Sequence, residues 1–287
     1  MFGFLNIYKP KGLTSHDVVA RLKKITKIKQ IGHTGTLDPF AEGVLPICIG
    51  KATRLIEYLE DDKAYEGVIQ FGKATTTYDL EGEITESSNN KVDIKQVELA
   101  LENFRGDIVQ KPPIYSAIKI DGKKLYEYAR KGEEIEVPTR NVTIYKLDLI
   151  SFDEDKQQAK VYIECSKGTY IRSIANDLGE TLGIYGHLIK LVRVKAGKFM
   201  LNNTVTLETL NIEEVQHSLI EPLKVLPFKS IEITENELAL VKNGMKLNNY
   251  SFKEGEHIVL TFNNELVSVA EYSNKQLVQK KVLTQVN

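Results

Sequence analysis

Asp38 sits in a stretch rich in glycine, small residues and proline, Gly32-His-Thr-Gly-Thr-Leu-Asp-Pro-Phe-Ala-Glu-Gly43, directly before Pro39. Glycine and proline both disfavour a helix interior, so this composition predicts a loop of set shape. A carboxylate held in such a loop can act as a nucleophile or stabilise a developing cation. An isolated Leu-Asp-Pro would read as a surface aspartate on a glycine-rich turn. Here the loop leads into a buried strand-like run at 44–49 and then Gly50-Lys-Ala-Thr-Arg54. Reacting groups concentrate on loops held by such scaffolds.

Other chemistries lack their residues. Gly43 and Gly50-Lys51 are separated by six residues instead of the four of a phosphate-cradling loop. The sequence has no His-Glu-x-x-His, no paired-cysteine zinc motif and no Gly-x-Ser-x-Gly elbow. Its five histidines are scattered, with His217 and His257 read as surface residues. No cofactor and no metal are expected. Cys48 and Cys165 lie in apolar strand-like runs and are expected as buried thiols.

The elements that would position Asp38 follow from periodicity. A strand is expected over 2–8, then a helix capped by Thr14 or Ser15 with Val18, Val19, Leu22 and Ile25 on one face. A strand at 44–49, a short helix at 53–59 and an alternating strand at 65–71 come next. The polar segment 79–90 reads as a loop. Asp93 caps a helix with Ile94, Val97, Leu101 and Phe104 inward, stopped at Gly106. Residues 111–117 are extended, because positions before proline avoid the helical region. Strands at 142–152 and 160–165, a helix at 170–182 and a strand at 187–194 complete this part.

Strands and helices do not alternate strictly, which argues against a parallel doubly wound sheet. The expected class is α+β, a mixed and mainly antiparallel sheet with flanking helices. A break at 222–229 precedes a helix at 235–243 and strands at 256–262, 266–272 and 277–284, with a hairpin turn at Asn263-Asn264. This tail reads as a small β-barrel module. The expected domains are 1–225, carrying an insertion at about 105–140, and 230–287.

Several separated segments resemble one family. Gly32 to Arg54 closely resembles the signature of the TruB family of tRNA pseudouridine synthases. So do Leu5-Asn-Ile-Tyr-Lys-Pro-Lys-Gly-Leu-Thr-Ser15 and Lys63-Ala-Tyr-Glu66. Phe104 to Ala117 and Gly122 to Arg130 resemble the family's RNA-gripping insertion. Cys165-Ser-Lys-Gly-Thr-Tyr-Ile-Arg172, with Asp177-Leu-Gly179, resembles the segment carrying its active-site arginine. The match covers about the first two hundred residues in order. The tail resembles the RNA-binding PUA module mostly by position.

The resemblance implies isomerisation of uridine to pseudouridine at position 55 in the T loop of tRNA, with the base flipped out of the loop. Asp38 would be the catalytic carboxylate and nucleophile, Arg172 its ion-pair partner. Tyr65 would stack on the base and could assist proton removal. His33 would stack in the T loop or hydrogen-bond within its own loop. Leu191 would wall the base pocket or simply fill the core. Lys9, Lys111, Tyr115 and Tyr170 would contact substrate. The implied partner is tRNA, with no obligatory protein partner and a monomeric state. Alternative readings are the related RNA-guided archaeal and eukaryotic branch and a tRNA-folding chaperone.

Net charge is −1, so global electrostatics do not announce an RNA-binding protein. Basic residues crowd three segments: Arg21 to Lys29, Lys119 to Lys131, and Lys190, Arg193, Lys195 and Lys198. Local basic faces fit phosphate contact, although by charge alone the solvated-face reading is the favoured one. No apolar run approaches membrane-spanning length and no leader is evident, so a cytoplasmic location is expected.

Overall fold

Burial alternates along the strands at Lys63–Phe71 and Gln158–Cys165, where one face is covered, while Gly3–Lys9 and Glu42–Ile49 are buried on both faces. The structure is a computed structural model and describes residues 1–116, 118–133 and 135–283. The expectations at Ala117 and Thr284, and those for the side chains of Lys124 and Arg130, lie outside the described residues.

In chain order the first strands are β1 (Gly3–Lys9), β2 (Ile31–His33), β3 (Glu42–Ile49), β4 (Lys63–Phe71), β5 (Lys73–Thr75), β6 (Ile84–Ser87) and β7 (Gly106–Gln110). Next come β8 (Lys119–Ile120), β9 (Lys123–Lys124), β10 (Arg140–Asp153), β11 (Gln158–Cys165), β12 (Gly186–Ala196) and β13 (Phe199–Met200). The main sheet runs β1-β3-β12-β4-β11-β10-β7, with β2 added on β3 and β13 on β12. Its pairings are antiparallel except β12 with β3, where Val192 and Arg193 face Glu42 and Gly43 in parallel. The mixed, mainly antiparallel α+β expectation holds. The parallel contact needs Gly43: at φ +102°, an added Cβ would lie 2.3 Å from the Arg193 carbonyl oxygen.

Helix α1 (Ser15–Thr26) starts in a capping box. Thr14 accepts from the Asp17 amide and Asp17 accepts from the Thr14 amide. Of the two candidate caps Thr14 is the one used, and Ser15 turns inward. Helix α2 (Ile94–Glu102) is capped by Asp93 and buries Val97 and Leu101, while Ile94 is exposed, contrary to the inward reading. Helix α3 (Leu125–Lys131) lies in the insertion. Helix α4 (Ile171–Thr181) packs on β12 and β4. The apolar faces of α1, α2 and α4 meet the sheet in one core that includes Leu22, Leu45, Ile69, Val97, Val161, Ile174 and Leu178.

Two expectations need correction. Segment 53–59 belongs to a longer 3-10 turn, Gly50–Tyr58. Segment 79–90 is not all loop, since β6 (Ile84–Ser87) pairs antiparallel with β5.

Helix α5 (Ile212–His217) and the short α6 (Pro222–Val225) lead into the tail. There β14 (Lys229–Glu232), α7 (Glu235–Lys242), β15 (His257–Phe262), β16 (Glu265–Ser273) and β17 (Gln276–Val282) follow. The sheet order is β14-β15-β16-β17 with β14 parallel to β15, and among the described residues it is open, without barrel closure. Asn263 and Asn264 both take positive φ, as a two-residue hairpin turn requires. The tail shares a buried cluster with the main sheet: Val259, Leu266, Val269 and Leu283 pack with Phe4, Val44, Cys48 and Leu55. Lys51 and Arg54 donate to the carbonyls of Leu283 (2.9 Å) and Val282 (2.7 Å). His257 is therefore not a plain surface residue; it is half-buried and stacks on Phe228 at 5.2 Å. Cys48 and Cys165 are buried free thiols, and burial raises them to about 12 and about 11. Among the described residues no helix is long and apolar enough to cross a membrane.

Candidate active site

The Asp38 loop leaves β2 and returns along β3, two strands already paired to each other through Ile31–Ile49, Gly32–Cys48 and His33–Ile47. Backbone bonds close it from within. The Thr34 amide donates to Pro46 O (3.1 Å) and the Ala41 amide to Asp38 O (3.1 Å). The segment after β1 braces it from outside. The Gly12 amide donates to Pro39 O (2.8 Å), and the Leu37 amide donates to the inward-turned Ser15 Oγ (2.9 Å).

Lys9 is fully buried, with Nζ donating to the carbonyls of Pro10 (2.9 Å), Leu13 (2.6 Å) and Pro39 (3.2 Å). Burial lowers its ammonium to about 8, against the opposing pull of Asp38. The substrate-contact reading for Lys9 is thus replaced by an internal one: it ties the N-terminal loop to the Asp38 loop.

Arg172 projects from the first turn of α4 toward Asp38. Its Nε lies 2.9 Å from Asp38 Oδ2, an ion-pair contact not aligned as a hydrogen bond, while Nη2 donates to Asp38 Oδ1 at 3.3 Å. Nη1 pairs with Asp79 Oδ2 (3.2 Å) and donates to Thr77 O (3.1 Å), and Nη2 also donates to Tyr115 O (3.1 Å). One guanidinium therefore serves two carboxylates.

Exposure separates the two. The Arg172 and Asp79 side chains are 6% and 3% exposed, whereas Asp38 is 34% exposed. Only Asp38 can be reached from outside. Its desolvated position raises the Asp38 carboxyl, and nearby Asp79 adds to this, while Arg172 and then Lys9 oppose it. The carboxylate is thus both reachable and short of full compensation.

Asp79 was not singled out in the sequence, where it opened a polar loop. Its surroundings explain its place. Thr77 Oγ1 (2.6 Å) and the Glu81 amide (2.9 Å) donate to Asp79 Oδ1, and Thr75 Oγ1 donates to its carbonyl (2.7 Å). A threonine run ending in an aspartate is the local signal of such a turn.

Tyr65, in β4, is buried between β11 and β12, paired in register with Ile163 and Arg193. Burial raises its phenol, with Arg193 opposing, so Tyr65 is held as the neutral phenol. Leu191 is buried in the same cluster as Tyr65. The His33 ring meets His16 edge-on at 5.6 Å, and burial lowers the pKa of His33, with His16 and Arg193 nearby adding to this.

The stretch after β7 crosses the site by its backbone. Lys111 O accepts from Ser173 Oγ (2.8 Å), and Tyr115 O holds Arg172 as above. The Lys111 side chain is exposed and that of Tyr115 half-buried. Tyr170 exchanges both backbone groups with the Gln110 amide at 2.7 and 3.0 Å, and its ring lies 5.4 Å from the Arg140 guanidinium. Asp38, Arg172 and the Tyr115 backbone thus come together directly, while Tyr170 serves the base of α4.

Comparison with known proteins gives the family. Residues 23–171 match the TruB family pseudouridylate synthase N-terminal domain, and 172–225 match the tRNA pseudouridylate synthase B C-terminal domain. The chain belongs to the TruB family. A protein named tRNA pseudouridine synthase B from Staphylococcus saprophyticus is 43% identical, over 92% of this chain and 91% of that protein. One of the same name from Prochlorococcus marinus is 45% identical, over 98% and 90%. Among solved structures, a Cbf5-Nop10-Gar1 complex aligns with TM-score 0.73 at 25% identity, over 99% of this chain and 84% of that one. The TruB-family chain is therefore a pseudouridine synthase, an isomerase, and the Asp38–Arg172–Asp79 cluster lies in the region the family model covers or directly adjoins.

Proposed function

We propose that this enzyme converts uridine 55 in the T loop of tRNA to pseudouridine, with Asp38 as nucleophile and the target base flipped out of the loop toward Tyr65 and Leu191. The observation that carries this reading is the single reachable carboxylate held by a buried arginine, which a second, sealed carboxylate fixes from behind. The reaction breaks the N1–C1′ bond, turns the uracil and joins C5 to C1′; the C5 proton passes to solvent and the freed N1 takes one up. Asp38 bonds to the substrate while the base is detached, and Arg172 keeps the departing carboxylate ionised and aimed.

Flipping the base loses stacking worth a few kcal/mol. The basic and aromatic insertion at about 105–140 offsets this by gripping the loop. The tail 230–287 acts as a PUA-like RNA-binding module, and 1–225 as the catalytic domain. The enzyme works as a cytoplasmic monomer, without guide RNA, protein partner, cofactor or metal.

The test is release of tritium from 5-tritiated uridine in a T stem-loop by the purified chain alone. Release at the position-55 uridine, absent in Asp38→Asn, is expected. Activity appearing only with a guide RNA and accessory proteins would favour the Cbf5-like reading instead.

A further inference from the structure

We infer that Arg193 is a positioning residue that clamps both ends of the Asp38 loop onto β12. Sequence composition places it among surface basic residues, yet it is 1% exposed and heads the largest fully buried side chains. Its Nε donates to Val44 O (2.6 Å), just after the loop, while Nη2 donates to Gly35 O (3.1 Å) and Nη1 to Thr36 O (3.4 Å), just before Asp38. Its backbone pairs with Gly43, so one residue grips the loop exit by main chain and side chain together.

Among the described residues Arg193 makes no ion pair with a carboxylate. A buried guanidinium without an acid is costly, and an apolar residue would fill a sheet interior more cheaply. What arginine offers is a planar fork that reaches carbonyls on both sides of the loop at once. An ammonium has no such fork. Arg172 approaches Asp38 from α4 and Lys9 supports Pro39 from the end of β1, so neither fixes the span from Gly35 to Val44 as Arg193 does. A misplacement of about 1 Å costs on the order of 100-fold in rate. The clamp therefore acts on turnover and not on RNA affinity.

This inference rests on the reading of Asp38 as the reacting carboxylate. The test compares full-length Arg193→Lys and Arg193→Met with wild type, and with Asp38→Asn as control. The readouts are tritium release from the T stem-loop and hydrogen exchange of residues 34–43. In Arg193→Lys, which keeps the charge, kcat is expected to fall about 100-fold, with KM little changed and faster exchange confined to 34–43. Arg193→Met should behave the same or worse. A folded Arg193→Lys with normal kcat, a loss confined to KM, or exchange unchanged at 34–43 would overturn the clamp. Failure of Arg193→Lys to fold would assign Arg193 to stability alone and overturn it too. Inactive wild-type enzyme would instead refute the proposed function, with the exchange data still reporting on the clamp.

Discussion

At the residue scale, the site separates one accessible charge from two sealed ones. Replacing Asp38 by Asn keeps volume and removes the proposed nucleophile, so tritium release should fall to background while RNA binding persists; activity within tenfold of wild type would refute the assignment. Ionising Asp38 costs the folded state something, because its carboxyl is raised above the unfolded value. Asp38→Asn should therefore melt no lower than wild type, which calorimetry can check. The same shift sets a pH dependence. The reactive form is the carboxylate, so the rate is lost as pH falls through the folded pKa, and a raised pKa moves that acidic limb above the ordinary aspartate range. A kcat/KM profile with its acidic limb at or below the ordinary value would contradict this. Arg172→Lys should cost far more than a conservative change, because one guanidinium binds Asp38, Asp79 and two carbonyls, and an ammonium cannot span them. Near-normal turnover in that variant would reduce Arg172 to a structural role.

At the element scale, the Asp38 loop is held because β3 lies between β1 and β12 and pairs with β12 in parallel at Gly43. Gly43→Ala should break that contact: its φ of +102° and the 2.3 Å approach to Arg193 O leave no room for Cβ. A destabilisation of roughly 1–3 kcal/mol is expected from the strain alone, together with slower single-turnover chemistry. A melting curve and rate matching wild type would show that β3 can shift without consequence. Helix α4 contributes differently. Its start is tied to β7 through Gln110 and to the crossing segment through Ser173, so Arg172 leaves a helix end that is fixed on two sides.

At the scale of the whole molecule, the tail completes a buried cluster of the main sheet as well as carrying its own strands. Removing residues after about 229 would expose Phe4, Val44 and Leu55. It would also forfeit the burial of Val259, Leu266, Val269 and Leu283, each worth roughly 1.5–3 kcal/mol. The truncated chain should melt lower, bind RNA more weakly and show a flatter salt dependence, since fewer phosphates are neutralised. Unchanged melting would mean the shared cluster contributes nothing. Unchanged salt dependence would remove the tail from RNA binding. Legibility from sequence follows the same boundary between local and non-local causes. The Asp38 loop, the caps at Thr14 and Asp93, the strand alternation at 65–71 and the Asn263-Asn264 turn were readable, because each depends on neighbours a few residues away. The TruB signature carried Asp38 and Arg172 together for the same reason: each sits in a contiguous motif. Asp79, Arg193 and the buried role of Lys9 were not readable. A charged side chain looks alike in sequence whether it faces solvent or partners brought from 30 to 158 positions away. The Arg172–Asp79 ion pair, the parallel β12–β3 pairing at Arg193 and the return of the Asp38 loop over Lys9 decided those fates, because only long-range contacts set which charges lose their water.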